Sequence, residues 1–289
     1  MWVGYALTAA LFTSFLPIIS KRLLVHAPVA LVAWVPNALS LPILLAATLA
    51  LRGWPRVDAL FFAGLLASGM LNLIATLAST TALQRADASL ATPLLSFNPA
   101  FTMLISAFVL GEQPDLRGLL GVLTIVGGAY LFQVEHIRAG LFAPLRALAQ
   151  QPGVLLAIGA SFVWGLTPIF EKVAIQHSFP ENPLAVAFAT TLLTTAFLLP
   201  AVLRSRGRLA EQLQWHWPGF LAASLISGLA PLFGFTAIAL GYVGYVTALF
   251  KLSAVLTVVW AALLLGEQGL RRRFPAAIVM AVGGLLIAT

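Results

Sequence analysis

One lysine stands where a packed apolar helix has no use for it. Lys251 lies eight residues inside the apolar run 243–265, about 12 Å along a helix axis at 1.5 Å per residue. A lysine stem that snorkels to the interface covers only part of that depth. An ammonium turned into a cavity there would anchor a carboxylate or act as an electrostatic gate. A second cluster falls in the run 88–110, where Ser96-Phe97-Asn98-Pro99-Ala100-Phe101 sets two rings beside an amide and a helix-breaking proline. The proline removes a backbone hydrogen bond and leaves a carbonyl for a ligand or a kink. In the run 59–83, Asn72, Thr76, Ser79 and Thr80 recur at helical spacing and share one face. In the run 153–175, Trp164, Thr167, Pro168 and Phe170 come together, and Phe250 and Ser253 flank Lys251. These groups bind rather than react. The ammonium suits a carboxylate, the amide, hydroxyls and freed carbonyls suit an ammonium, and the rings suit an apolar or aromatic side chain.

Covalent and metal chemistry find no support in the same runs. Cysteine is absent, and His26, His136, His177 and His216 all fall between runs with no metal-ligand spacing. No carboxylate lies mid-run. Glu112 and Glu267 follow a glycine at matching run ends and read as loop or capping residues, while Glu171 and Lys172 near the end of 153–175 read as interfacial or as a charged pair at a cavity mouth. An intramembrane enzyme would need convergent nucleophile, base or metal ligands, so neither catalysis nor a cofactor or metal is expected.

The elements that must hold these groups are apolar. The chain is 61% hydrophobic and 9% charged, against roughly a quarter charged in soluble domains, which places it in a bilayer. Its formal net charge of +7 comes from basic residues between the runs. That is the pattern of membrane-flanking loops and not of nucleic-acid binding. Ten runs can be counted: 2–20, 29–51, 59–83, 88–110, 117–133, 153–175, 184–203, 217–239, 243–265 and 272–289. Each fits the length of a spanning helix.

The two halves repeat. Leu110-Gly-Glu-Gln113 returns as Leu265-Gly-Glu-Gln268 at an offset of 155 residues, with Thr102 over Thr257. Pro17-Ile-Ile-Ser-Lys21 matches Pro168-Ile-Phe-Glu-Lys172 at an offset of 151. Five helices per half is odd, so the second half must enter from the opposite side. The expected fold is an all-α polytopic membrane protein of ten transmembrane helices, two inverted five-helix repeats around a central cavity. The repeats span 1–133 and 153–289, with a linker at 134–152 that has room for a short interfacial helix. Pro17 and Pro168 are candidate hinges. Gly121 with Gly128, and Ala277 with Gly284, are the small residues expected to pack the fifth helix on the tenth. Loops after odd-numbered helices hold eleven Lys and Arg, and those after even-numbered helices four. The positive-inside rule then puts both termini outside.

With its Leu-Gly-Glu ending the fourth helix, Gly127-Gly128 in the fifth and the same landmarks in the second half, the chain resembles the drug/metabolite transporter superfamily, in the subgroup whose repeat is the EamA domain. The resemblance covers nearly the whole chain. Length and aromatic cavity candidates are most similar to the YddG aromatic amino-acid exporters. The resemblance implies a cavity from helices 1, 3, 4, 6, 8 and 9, and cytoplasmic termini, against the Lys/Arg count. It implies export or equilibration of aromatic or hydrophobic amino acids and related amphipathic metabolites across the inner membrane, by alternating access, as a monomer in the bilayer. The alternatives are a proton-coupled drug exporter or a carrier of another small metabolite, with a channel behind them. The glutamate that small multidrug antiporters of the superfamily carry in their first helix has no counterpart in Trp2 to Ser20.

Overall fold

A computed structural model describes residues 1–86, 88–134, 142–147, 151–204, 216–265 and 270–289. The first half comprises α1 (Trp2–Leu23), α2 (Val29–Leu51), α3 (Ala59–Arg85), α4 (Ala88–Leu95), α5 (Asn98–Val109) and α6 (Leu116–Val134). A short α7 (Ala143–Ala147) lies in the linker. The second half comprises α8 (Pro152–Gln176), α9 (Pro183–Arg204), α10 (Trp217–Leu240), α11 (Val243–Phe250), α12 (Leu252–Leu265) and α13 (Leu270–Ala288). Among the described residues, seven helical segments are long and apolar enough to cross a membrane, and three shorter apolar helices accompany them. The chain is therefore a multi-pass, nearly all-helical membrane protein.

Two features depart from the expected ten plain helices. The fourth and ninth runs are each broken near the middle, at Ser96–Phe97 and at Lys251. Pro99 lies in the first turn of α5, where its missing N–H is no loss, and it disfavours helical geometry in the residue before it. The turn therefore falls just upstream, with Ser96 and Phe97 N–H donating to Pro93 and Leu94 O at 3.2 and 3.3 Å. At the 155-residue offset, Ser96 is the counterpart of Lys251. The second departure is a two-residue antiparallel ladder, β1 (Arg56–Val57) with β2 (Ser178–Phe179), pairing Arg56 with Phe179. It ties the α2–α3 loop to the α8–α9 loop.

Polar side chains set the helix starts. Asp58 Oδ1 accepts from Leu60 and Phe61 N–H at 2.9 and 3.1 Å, Asn182 Oδ1 accepts from Leu184 and Ala185 N–H, and Asp115 Oδ1 accepts from Gly118 N–H at 2.9 Å. The hydrogen bond to His177 Nδ1, at 2.8 Å, is the main cause that holds the Asp58 carboxyl below the usual range. Asp115 is likewise lowered, first by the Gly118 N–H and then by the Tyr245 hydroxyl.

Helices of one half pack mainly on helices of the other. α3 lies on α8, α1 on α10, α2 on α9 and α6 on α13, while α5 crosses α8 and α12 crosses α1. The largest buried cluster, including Val122, Ile125, Val243, Leu249 and Met280, fills the junction of α6, α11 and α13. On the α6–α13 seam the register lies one residue from the expected one. Gly121 and Gly128 do face α13, but their partners are Gly283 and Ala276: a Cβ on Gly121 would stand 2.9 Å from Gly283 O, and one on Gly128 3.1 Å from Ala276 O. Gly284 turns toward Leu252 and Leu249, and Ala277 lines a groove toward α1 and α12. Both pairs are seven apart, so spacing alone does not choose between them. Trp2 packs beside Gly241 and Tyr245, and Ile287 beside Gly121. Both chain ends therefore lie on the face where α10 turns into α11.

Candidate functional site

Lys251 lines a cavity of about 480 Å³ between the two halves. The walls come from α1 (Ala9, Thr13, Leu16), α2 (Asn37), the start of α5 (Asn98), α8 (Glu171), α10 (including Ser227, Pro231 and Phe235), and the α11–α12 break (Thr247, Phe250, Lys251, Ser253). A helix break places Lys251 there: ending α11 at Phe250 puts its side chain at the turn between two half-helices. Among the described residues nothing accepts a hydrogen bond from its ammonium or pairs with it. Asn98 Oδ1 is buried and also lacks a partner, a state that most buried polar atoms avoid.

Of the candidates read from sequence, Lys251, Asn98, Phe250 and Ser253 line this cavity, and the others stand elsewhere. Trp164 Nε1–H donates to Asn72 Oδ1 at 2.9 Å, Thr76 Oγ1 donates to Asn72 O at 2.7 Å, and Ser79 Oγ donates to Thr76 O at 3.0 Å. That group lies where α3 packs along α8, with Asn72 and Thr76 exposed and outside the wall of this cavity. Phe97 packs edge-on against Tyr130 at 5.9 Å, and Phe101 against Phe162 at 5.5 Å. Thr167 is buried, its hydroxyl unpartnered. Thr80 lies in α3. In the cavity wall, α2 thus takes the place expected of α3.

Sequence reading did not single out Asn37, Ser227 or Thr247. Asn37 gave the same signal as the others, an amide inside an apolar run. The prolines read as hinges lie within unbroken α1 and α8. Their surroundings match across the halves: Thr257 Oγ1 donates to Ser14 O at 2.9 Å, and Thr102 Oγ1 donates to Gly165 O at 2.9 Å. Each carbonyl stands three residues before its proline, and each threonine comes from the other half. A hydroxyl near a proline distortion in lipid supplies a polar partner where the helix ladder is weakened.

The floor of the cavity toward the chain ends is tied by charge. Gly111, at φ 66°, turns the chain out of α5, a left-handed geometry that favours glycine. Glu112 then reaches across: its carboxylate accepts from Val243 N–H at 2.9 Å and pairs with Lys172 Nζ at 2.7 Å. Lys172 Nζ also donates to Gly241 O at 2.7 Å. One ion pair thus caps the end of α10 and the start of α11 and binds α5 to α8. The capping expectation for Glu112 matches this geometry. Its copy Glu267 lies outside the described residues, as do His136, Gln268 and most of the linker.

Among curated proteins no match is found. Solved structures share the fold: one, named only "Crystal structure of protein", superposes with a TM-score of 0.74 at 17% identity, over 99% of this chain and 95% of that one. The EamA-like transporter family matches residues 1–133 and 151–289. With both halves matched, the chain belongs to the EamA-like transporter family, membrane transporters of small metabolites within the drug/metabolite transporter superfamily.

Proposed function

We propose that this protein exports or equilibrates aromatic and other apolar amino acids, with related amphipathic metabolites, across the cytoplasmic membrane by alternating access between two inverted five-helix repeats. The observation that carries the substrate reading is the unpaired Lys251 ammonium at a helix break, beside the Phe250 ring and the unpartnered Asn98 amide. An amino acid crossing low-dielectric protein needs both charges compensated. Lys251 takes the carboxylate, Asn98 Oδ1 accepts from the ammonium, and Phe250 and Phe235 offer faces to the side chain. An aromatic contact of that kind adds about 0.5–1.5 kcal/mol beyond area burial. A phosphate dianion usually draws on several cations, and Lys251 is the one Lys or Arg among the cavity-lining residues described.

The inverted-repeat reading is supported by matched contacts. The contact from Thr102 of the first half to Gly165 of the second answers that from Thr257 of the second half to Ser14 of the first. The two helix breaks fall at equivalent positions, and α3 on α8 answers α1 on α10. In this reading the Glu112–Lys172 pair is a closed gate on the chain-end face. Purified protein in liposomes, offered labelled amino acids, sugars and cationic drugs, should show saturable counterflow for aromatic amino acids. Non-saturable flux without counterflow would mark a channel, and preference for a drug or a sugar would refute the substrate reading. Since the chain lacks cysteine, single cysteines at Gln113 and Gln268 are clean topology reporters. The inverted arrangement requires that they label from opposite faces.

A further inference from the structure

Glu171 is the second ionisable side chain in the cavity wall, and neither the repeat nor helix capping accounts for it. It lies on α8 beside Lys172, yet Lys172 turns away to Glu112 and Gly241. The Glu171 carboxylate accepts one hydrogen bond from Ser68 Oγ at 3.2 Å. Among the described residues no cation pairs with it, and it forms no ion pair with Lys251. α8 ends and α11 begins on the same face, joined by the Glu112–Lys172 bridge. Counted from there, Glu171 is five residues in and Lys251 eight, depths of about 7.5 and about 12 Å at 1.5 Å per residue. An acid and a base thus share one largely apolar cavity, at depths about 4.5 Å apart, without neutralising each other.

Isolated charges in such a place are costly and mark function more often than packing. A pair kept only for stability would close on itself, as Glu112 and Lys172 do. From this placement we infer that Glu171 and Lys251 form a divided receptor for a zwitterion, with Glu171 receiving the ammonium and Lys251 the carboxylate of an α-amino acid. This rests on the amino-acid reading above and sharpens it. Asn98 becomes an auxiliary acceptor, and Glu171 becomes the residue that separates amino acids from plain carboxylates.

The test uses reconstituted full-length protein and three labelled probes: L-phenylalanine, 3-phenylpropanoate, which lacks the ammonium, and 2-phenylethylamine, which lacks the carboxylate. The wild type should favour phenylalanine. Glu171→Gln keeps the size of the side chain and a carbonyl oxygen for Ser68. It should raise the half-saturation concentration for phenylalanine about 10- to 100-fold, the range set by one hydrogen bond to a charged group, with little change for 3-phenylpropanoate. Glu171→Asp should restore part of the loss, and unchanged melting temperatures would keep a folding defect out of the comparison. Equal loss for phenylalanine and 3-phenylpropanoate, or no loss, would overturn the inference while leaving amino-acid transport intact. So would a variant that loses only uptake driven by a proton gradient and retains phenylalanine counterflow, which makes Glu171 a proton carrier. A wild type that carries none of the three probes would instead overturn the amino-acid reading, and this inference with it.

Discussion

Neighbouring glycines on α6 and α13 make a sharp test of how the two halves are joined. A Cβ added at Gly128 would stand 2.6 Å from Met280 Cγ, 3.0 Å from Met280 N and 3.1 Å from Ala276 O. Met280 can swing its side chain, but the two backbone atoms cannot yield unless the helices part by several tenths of an ångström. Gly283 is tighter, since its Cβ would meet Gly121 O at 2.7 Å and Ile125 N at 2.8 Å. Overpacking of this kind costs about 1–3 kcal/mol. At Gly127 nothing lies within 4 Å, so Gly127→Ala should gain up to about 1 kcal/mol of helix propensity. At Gly284 the nearest atoms are the flexible ends of Leu252 and Leu249, at 3.3 and 3.5 Å, and alanine should be near neutral. Gly127 and Gly128 should therefore diverge by about 1–4 kcal/mol and Gly284 and Gly283 by about 1–3 kcal/mol, the destabilised variants being Gly128→Ala and Gly283→Ala. Tryptophan-fluorescence melting of the four purified variants in one detergent reads this directly. Equal melting temperatures for Gly127→Ala and Gly128→Ala, or a larger drop for Gly284→Ala than for Gly283→Ala, would refute the close-approach reasoning.

The Glu112–Lys172 pair is nearly enclosed, with side chains 6% and 12% exposed, so Glu112→Gln or Lys172→Met alone should cost about 3–5 kcal/mol by stranding the other charge. The double variant should melt above either single one, and a fully additive loss would deny the coupling. Because its folded pKa is depressed, Asp58 contributes stability that is present above the ordinary carboxylate range. That stability is lost as pH falls through the lowered value. Asp58→Asn, which retains a capping oxygen, should flatten this acid limb of a melting-temperature profile, and an unchanged limb would count against the His177 contact.

Most of the fold could be read from hydropathy and internal repetition, because lipid requires long apolar helices with every backbone group satisfied. The ends of α2, at Val29 and Leu51, fall where the run ends. The Leu-Gly-Glu landmark also had a physical meaning: Gly111 makes the turn and Glu112 makes the cap. What escaped is what depends on rotation about a helix axis and on approach across the chain. Spacing could not place Gly283 rather than Gly284 against α6, since both have a small residue seven positions before them. The polar face of Asn72, Thr76 and Ser79 was recognised as a face, but its neighbour was settled by how closely α3 approaches α8. Asn37 and Glu171 enter the cavity because α2 and the end of α8 border it, a tertiary fact that their polar side chains in apolar runs do not by themselves specify. Lys251 stood out because a lone cation amid apolar residues is costly wherever the helix turns.

The most direct test of the proposed transport mode compares L-phenylalanine with L-phenylalaninamide in proteoliposomes containing wild-type or Lys251→Ala protein at equal density. If Lys251 receives the substrate carboxylate, the variant should lose phenylalanine counterflow about 10- to 100-fold, as expected for one hydrogen bond to a charged group. Transport of the amide, which has no carboxylate to bind, should fall far less. An equal loss for both compounds would make Lys251 structural, and an undiminished rate for phenylalanine would exclude its ammonium from substrate recognition.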